Sequence, residues 1–358
     1  MKKLISLLLV LAMALSLAAC GGKTEAPAAT EAPAAEAAPE AAPEAAPEAP
    51  AAEVTTYDVG VAIYQYNDNF MTLYRQEIEA YFKTLETDTV KYNITMVDSK
   101  NDMAEQTNQI DTFITQGMDV IILNLVQTSS AEVLIEKVVD AGIPLILINR
   151  EPLGETDESY PGIINNPGVC YVGADARQSG TYQGEIVLAL DDQGDINGDG
   201  TINYVMIVGD PENPDAQYRT EYSVKALTDA GVEVNCLVEN VGNWDQTKGN
   251  EIVDAALAQY GDEIEVVFCN NDGMALGAAA AIEKHGRTVG QDIYLLGVDA
   301  LDECQEMVQA GTMTGTVLND HVGQSHAAVD AAVAALNGEA LQNYYWVNYV
   351  KVDAAYFG

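Results

Sequence analysis

VIILNLVQTSSAEVLIEKVVDAGIPLILI, Val120 to Ile148, holds an apolar run, a polar turn, a segment with apolar residues three and four apart, and a second apolar run. The spacing predicts a strand from Val120 to Leu125, a helix from Ala131 to Asp140 stopped at Ala141-Gly142, and a strand from Pro144 to Ile148. Such βα alternation implies a parallel sheet covered on both faces.

The same rhythm extends in both directions. Upstream it predicts strand Val59 to Tyr64, helix Met71 to Leu85, strand Ile94 to Val97 and helix Met103 to Gln116. After Tyr171 it starts again with helix Ser179 to Leu190, strand Tyr204 to Val208, helices Asp215 to Asp229 and Gln246 to Gln259, and strand Glu265 to Cys269. Helix Asp272 to His285 and strands Tyr294 to Val298 and Thr314 to Leu318 complete it. The fold class is therefore α/β, with two doubly wound Rossmann-like lobes in succession.

The first residues read as an export signal. Lys2 and Lys3 precede an apolar run, Leu4 to Leu17, too short to span a bilayer, so residues 1–19 are expected to be a signal peptide. The run ends in Leu17-Ala18-Ala19-Cys20-Gly21, which resembles the lipobox of bacterial lipoproteins and implies a lipidated Cys20 anchored to the cell membrane. Residues 20–53 are rich in Ala, Pro and Glu, cannot bury enough apolar surface to fold, and read as a tether. The remaining body suits two lobes. With 55 Asp and Glu against 16 Lys and Arg, the chain would be repelled by nucleic acid, leaving neutral or cationic ligands. Cys170, Cys236, Cys269 and Cys304 lack metal spacing; the spacing assigns no disulfide among them but leaves one open, and buried free thiols are the expected reading.

Open parallel sheets bind ligands beyond the carboxyl ends of their strands. Asp68 and Phe70 follow the first strand, Asn124 ends the third, Asp215 and Arg219 follow Tyr204 to Val208, and Asn270 and Asn271 end Glu265 to Cys269. Asp299 and Asn319 end the last two. Carboxylates accept from hydroxyls, amides donate and accept, and arginine donates in a planar fork. With Phe70 and Trp244 as flat surfaces for C–H faces, the set suits a neutral polyol. A glycosidase would also use acidic pairs, but no nucleophile has a base nearby in motif and no phosphate loop follows a strand, so an enzyme is not expected.

DINGDGTIN, Asp195 to Asn203, begins like a calcium-binding EF-hand loop, yet its twelfth position is Met206 where a bidentate carboxylate belongs. Either the loop is a decoy or a distant residue completes it. A dockerin-type module uses a similar loop, but as a duplicated pair with an acid at position twelve, and one copy occurs here.

The segments Tyr64 to Phe70, Ile122 to Val126, Gly209 to Arg219, Asn270 to Ala275, Gly297 to Ala300 and Gly315 to Asp320 resemble, in order and spacing, the galactose/glucose-binding proteins of bacterial ABC importers. The resemblance runs from about Val59 to the C-terminus. It implies the type I periplasmic-binding-protein fold, with a multi-strand hinge between an N-terminal lobe of residues 54–143 plus about 320–350 and a C-terminal lobe of residues 144–319 plus about 351–358. Chain crossings are expected near Gly142 to Leu145, Leu318 to His321 and Val347 to Val352. D-galactose or D-glucose would lie in the cleft, with Asp68 at the 4-hydroxyl of either epimer and Phe70 and Trp244 sandwiching the ring. Asn124, Asp215, Arg219, Asn271, Asp299 and Asn319 would surround the rim, and Asn213 stands where well-known members carry histidine. The resemblance also implies that Glu265 closes a structural Ca2+ site with Asp195, Asn197, Asp199, Asn203 and the Thr201 carbonyl. The expected partners are the sugar and ABC permease subunits, the membrane is met through the lipid anchor, and the protein itself is expected to be a monomer. A binding protein for a pentose or another monosaccharide, or a sensory module presenting bound sugar to a membrane receptor, would use the same closed lobes.

Overall fold

The computed structural model describes residues 53–152, 154 and 159–358. The signal peptide, Cys20 and nearly all of the Ala/Pro/Glu tether lie outside the described residues. Among the described residues, no helix is long and apolar enough to cross a membrane.

The first half follows its apolar pattern. Strand β1 (Thr55–Ile63) is buried over its last five residues and leads to α1 (Asn69–Leu85), whose N-terminus is capped by Asp68 accepting from the Met71 N–H. Phe70, Tyr74, Ile78 and Phe82 recur at helical spacing and are buried on one face of α1. Next come β2 (Val90–Asp98), α2 (Met103–Gln116), β3 (Val120–Leu123), α3 (Ala131–Asp140), β4 (Leu145–Ile148), the single turn α4 (Pro161–Ile164) and β5 (Val169–Gly173). β3, β4 and β5 are buried at every residue. Each of their larger aliphatic side chains contributes about 1.5–3 kcal/mol by leaving water.

The second half contains α5 (Ala176–Leu188), β6 (Thr201–Val208), α6 (Pro214–Asp229), β7 (Glu233–Val241), α7 (Gln246–Tyr260), β8 (Val266–Cys269) and α8 (Asp272–Lys284). It continues through β9 (Tyr294–Leu296), α9 (Asp302–Ala310), β10 (Thr316–Leu318), α10 (His321–Leu336), β11 (Tyr344–Trp346) and β12 (Val350–Val352). Gly184 lets α5 and α6 close together, since a Cβ there would fall 2.6 Å from both the Ser223 carbonyl and the Ala226 methyl. That contact fixes α6, whose first turns carry Asp215 and Arg219.

Two parallel sheets result. One has the order β11-β5-β4-β3-β1-β2, the other β7-β6-β8-β9, and an antiparallel β10-β12 pair adjoins the second through bridges Leu296 to Gly315 and Asp299 to Leu318. The expected first crossing near Gly142 to Leu145, and with it the lobe boundary at 143/144, requires correction. β4 pairs in register with β3 (Ile121 opposite Leu145) and with β5 (Leu145 opposite Val169), so both belong to the first sheet. The chain leaves that sheet between Gly173 and Ala176. A Gly142 turn followed by Pro144 marks an ordinary return to the same sheet as readily as a passage to the next. The other two passages fall where expected, between β10 and α10 and between β11 and β12. Cys170, Cys269 and Cys304 are buried free thiols, whereas Cys236 is exposed on β7, contrary to expectation.

Candidate functional site

The strand ends of both sheets converge on one cleft. Its inner pocket encloses about 320 Å³ of empty space, solvent mouth included. Every residue expected there from the sequence except Asn124 and the buried Asn270 lines it: Asp68 and Phe70 from the start of α1, Asn213, Asp215 and Arg219 from the start of α6, Trp244 after β7, and Asn271, Asp299 and Asn319 after β8, β9 and β10.

Arg219 is 3% exposed and organises the second-lobe wall. Its Nη1 donates to the Asn270 carbonyl at 2.8 Å, and its Nη2 donates to Asp215 Oδ2 at 3.2 Å and to the Tyr349 hydroxyl at 3.0 Å. Asp299 Oδ1 lies 4.0 Å from the guanidinium and accepts from Asn319 Nδ2 at 3.2 Å. Burial pushes Asp215 up to about 6 and Asp299 well above the usual carboxylate range, with Arg219 opposing in both cases. These are carboxylates short of donors, and a ligand bearing hydroxyls supplies them.

On the first-lobe wall, Asp68 accepts from the Met71 N–H at 2.7 Å and from the Tyr64 hydroxyl at 2.6 Å. Asn213 and Asn271 play comparable double parts, capping α6 and α8 by accepting from the Asp215 and Met274 N–H groups. Capping pins these side chains to helix starts, so the pocket is organised before a ligand arrives. The Trp244 indole is seated over Gly209, where an added methyl would overlap its ring.

Asn124 requires correction as a wall residue. It is fully buried behind the pocket, accepting from the Tyr64 N–H at 3.3 Å and donating to the Ile148 carbonyl at 3.1 Å and Asn149 Oδ1 at 3.2 Å. It ties the ends of β1, β3 and β4 together. The wall positions it supports, Tyr64 and Asn149, and the neighbouring wall residue Arg150 were missed. The signal was present: Asn149-Arg150 ends an apolar strand just as Asn124 does. Arg150, 1% exposed, stacks its guanidinium 3.8 Å from the Tyr64 ring centroid, and its Nη1 donates to the Val126 carbonyl and to Asp210 Oδ2 at 3.0 Å. Asp210 follows β6, so this pair joins the lobes. The Nε atoms of both Arg150 and Arg219 are buried without a partner.

Backbone strain gathers here as well. Among the described residues, the non-glycine positions with positive φ are Lys100, Asn101, Asn149, Gln193, Asn243, Trp244, Asp299 and Ala300, and all but Gln193 lie at the cleft or beside a cleft residue. Such conformations cost free energy and concentrate where side chains must be aimed.

The Asp195–Asn203 loop is closed by Glu265. That side chain is 1% exposed and reaches the loop from the start of β8, its Oε1 accepting from the Asn197 N–H at 3.0 Å and its Oε2 from the Asn203 N–H at 2.9 Å. Asp195 accepts from the N–H groups of Gly198, Asp199 and Gly200, Asn197 from that of Asp199, and Asp199 from that of Thr201. Asn203 accepts from Asn235 Nδ2 at 2.8 Å. The all-oxygen donor set fits a hard cation such as Ca2+ in chemistry. Its carboxylate oxygens are turned onto backbone N–H groups, and among the described residues no three His, Cys, Asp or Glu side chains are gathered closely enough to hold an ion.

Residues 59–340 match the periplasmic binding protein domain family. The chain is 34% identical over 290 residues to the D-galactose/methyl-galactoside binding periplasmic protein of Haemophilus influenzae, covering 79% of this chain and 82% of that protein. It is 32% identical over 299 residues to a putative rhizopine-binding protein of Rhizobium meliloti, covering 83% and 90%. A solved ABC transporter solute binding protein from Bacillus halodurans with bound myo-inositol superposes with a TM-score of 0.72 at 28% identity, covering 84% of this chain and 95% of that one.

Proposed function

The chain belongs to the periplasmic binding protein domain family, whose members matched here are solute-binding transport components rather than enzymes, and from that premise we propose that it captures D-galactose or D-glucose and delivers it to an ABC permease. The carrying observation is the inner pocket itself. Asp68, Asp215 and Asp299 are acceptors, asparagine amides and two arginines are donors, and Phe70 and Trp244 offer apolar faces within one cleft. Hydroxyl protons restore partners to the buried carboxylates, and the ring C–H faces pack on the aromatics.

Capture proceeds by closure. Each lobe holds part of the ligand-facing set, and a sugar touching both favours the closed form by its differential affinity for it. Three chain passages form the hinge. Closure dries the hydrogen bonds, so a sugar that leaves a buried group unpaired loses about 1–3 kcal/mol per group. Cys20 is proposed to carry a lipid that holds the monomeric protein at the outer face of the cell membrane. The Asp195–Asn203 loop with Glu265 is proposed to take a structural Ca2+, which would cross-link the loop to β8 without entering transport.

Calorimetric titration with D-galactose, D-glucose, myo-inositol and D-ribose tests this reading. Tight one-to-one binding of a hexose supports it. Binding of myo-inositol alone would move the ligand to the cyclitols, the class found in the Bacillus halodurans protein, while retaining the site. Silence of all four with a folded protein would overturn it.

A further inference from the structure

A second, larger cavity adjoins the inner pocket. It encloses about 710 Å³, solvent mouth included, and the two share Tyr64, Asp68 and Trp244 as walls. The remaining lining is Gln65, Asn67 and Asn101 from the first lobe and Asp210, Asn243 and Asp245 from the second. Arg150 of the inner pocket pairs with Asp210 of the outer one at 3.0 Å, so their salt bridge stands at the partition.

The vestibule is acidic, with three carboxylates in its lining that are all engaged within the protein, and its uncommitted side chains are amides. Asp68 is occupied by the Tyr64 hydroxyl and the Met71 N–H, Asp210 by Arg150 and the Glu212 N–H, and Asp245 caps α7 through the Lys248 N–H. Among the described residues, no lysine or arginine lines it. Among the described residues, Asn67, Asn101 and Asn243 make no side-chain hydrogen bond, and amides both donate and accept. Asn101 and Asn243, one from each lobe, sit at φ 55° and 51°, so the backbone fixes the rim on both sides. An amide rim beside an indole, with carboxylates that repel anions and accept from hydroxyls, fits a hydroxylated ring.

We infer that the vestibule is a second subsite, and that the protein's ligands include glycosides whose first ring fills the inner pocket and whose O-linked second ring lies in the vestibule. This rests on the sugar-capture reading and extends it from monosaccharides to disaccharides. A sealed pocket would reject any substituent, whereas a ring placed here meets space, water and unpaired amides. Disaccharide affinity is therefore expected to fall within about tenfold of that of the hexose.

The test is calorimetry on the full chain with D-galactose, D-glucose, their methyl glycosides, lactose, melibiose, maltose and cellobiose. At least one disaccharide should bind one-to-one. Asn67→Trp, at an exposed position in the turn after β1, should fill the vestibule and weaken that disaccharide at least about tenfold while leaving the hexose unchanged, which also reports correct folding. Asn243→Gly keeps the left-handed backbone, removes the amide, and should weaken the disaccharide severalfold. Hexose binding with every disaccharide silent would overturn the subsite, as would equal losses for hexose and disaccharide in Asn67→Trp. Silence of hexoses and disaccharides alike would overturn the sugar reading along with it.

Discussion

The inner pocket and the Asp195–Asn203 loop are built from the same carboxylates and amides by opposite routes. The loop is assembled almost wholly from neighbours, and its side chains are spent on the loop's own N–H groups. The pocket collects residues as far apart as Asp68 and Asn319, and its two most buried carboxylates share one arginine. Glu265 is the exception that links the two designs, a distant residue recruited to a local turn. In the loop the carboxylates are engaged by nearby backbone, whereas the two most buried pocket carboxylates rest on the side chains of Arg219 and Asn319 and keep acceptor capacity for a ligand.

That contrast is easiest to break at Arg219. Arg219→Met leaves Asp215 and Asp299 buried without their cation. It should abolish measurable sugar binding and lower unfolding free energy by about 3–5 kcal/mol in denaturant titration. Unchanged affinity would mean that the carboxylates do not face the ligand. Trp244→Ala should weaken binding by about 2 kcal/mol, roughly thirtyfold, with little change in stability because the side chain is only half-buried. Gly209→Ala, which displaces the indole without removing it, should give a smaller loss in the same assay.

On the loop side, Glu265→Gln removes one of two acceptors and should lower stability by about 1–3 kcal/mol while sugar affinity holds. Thermal unfolding with and without Ca2+ sharpens the point. The wild type should gain melting temperature with Ca2+ and the variant should gain less. No gain in the wild type would leave hydrogen bonds as the loop's sole closure.

The smallest effect concerns pH. Burial raises Asp215 to about 6, above the ordinary carboxylate value of its unfolded form. Its stability contribution is therefore fully present below the unfolded pKa and is lost as pH rises through about 6. Acidification from pH 7 to 5 should thus favour the unliganded fold through this group, yet weaken sugar binding severalfold as the acceptor is protonated. Asp215→Asn should flatten that part of the stability profile. Asp272, also raised to about 6 but engaged by Thr316 and the Leu301 N–H away from the pocket, and Asp299, raised by burial, supply the residual slope.

The parallel sheets were legible wherever strands were buried on both faces, as in β3 and β4, because nothing but an apolar run survives there. β7 was not read, since its residues are exposed or half-buried and it forms a sheet edge without a run. α10 escaped for a different reason: it buries Gln324 and Ser325 beside small alanines, so its buried face does not contrast with the rest of the helix. At the site, strand ends pointed to the correct cleft but could not separate Asn124 from Asn149. Both end apolar strands, and only the hydrogen bond between them shows which is the support and which the wall.

The three passages between lobes also set an order of assembly. The first sheet receives β11 and its covering helix α10 from residues 321–346, after nearly all of the second lobe in sequence. A chain emerging from its N-terminus would therefore present a β5 edge with no neighbour and an α1 with no α10 until its last residues arrived. The first half to be made is the last to be finished, so the interval between translocation and completion is when this protein most needs protection from its own kind.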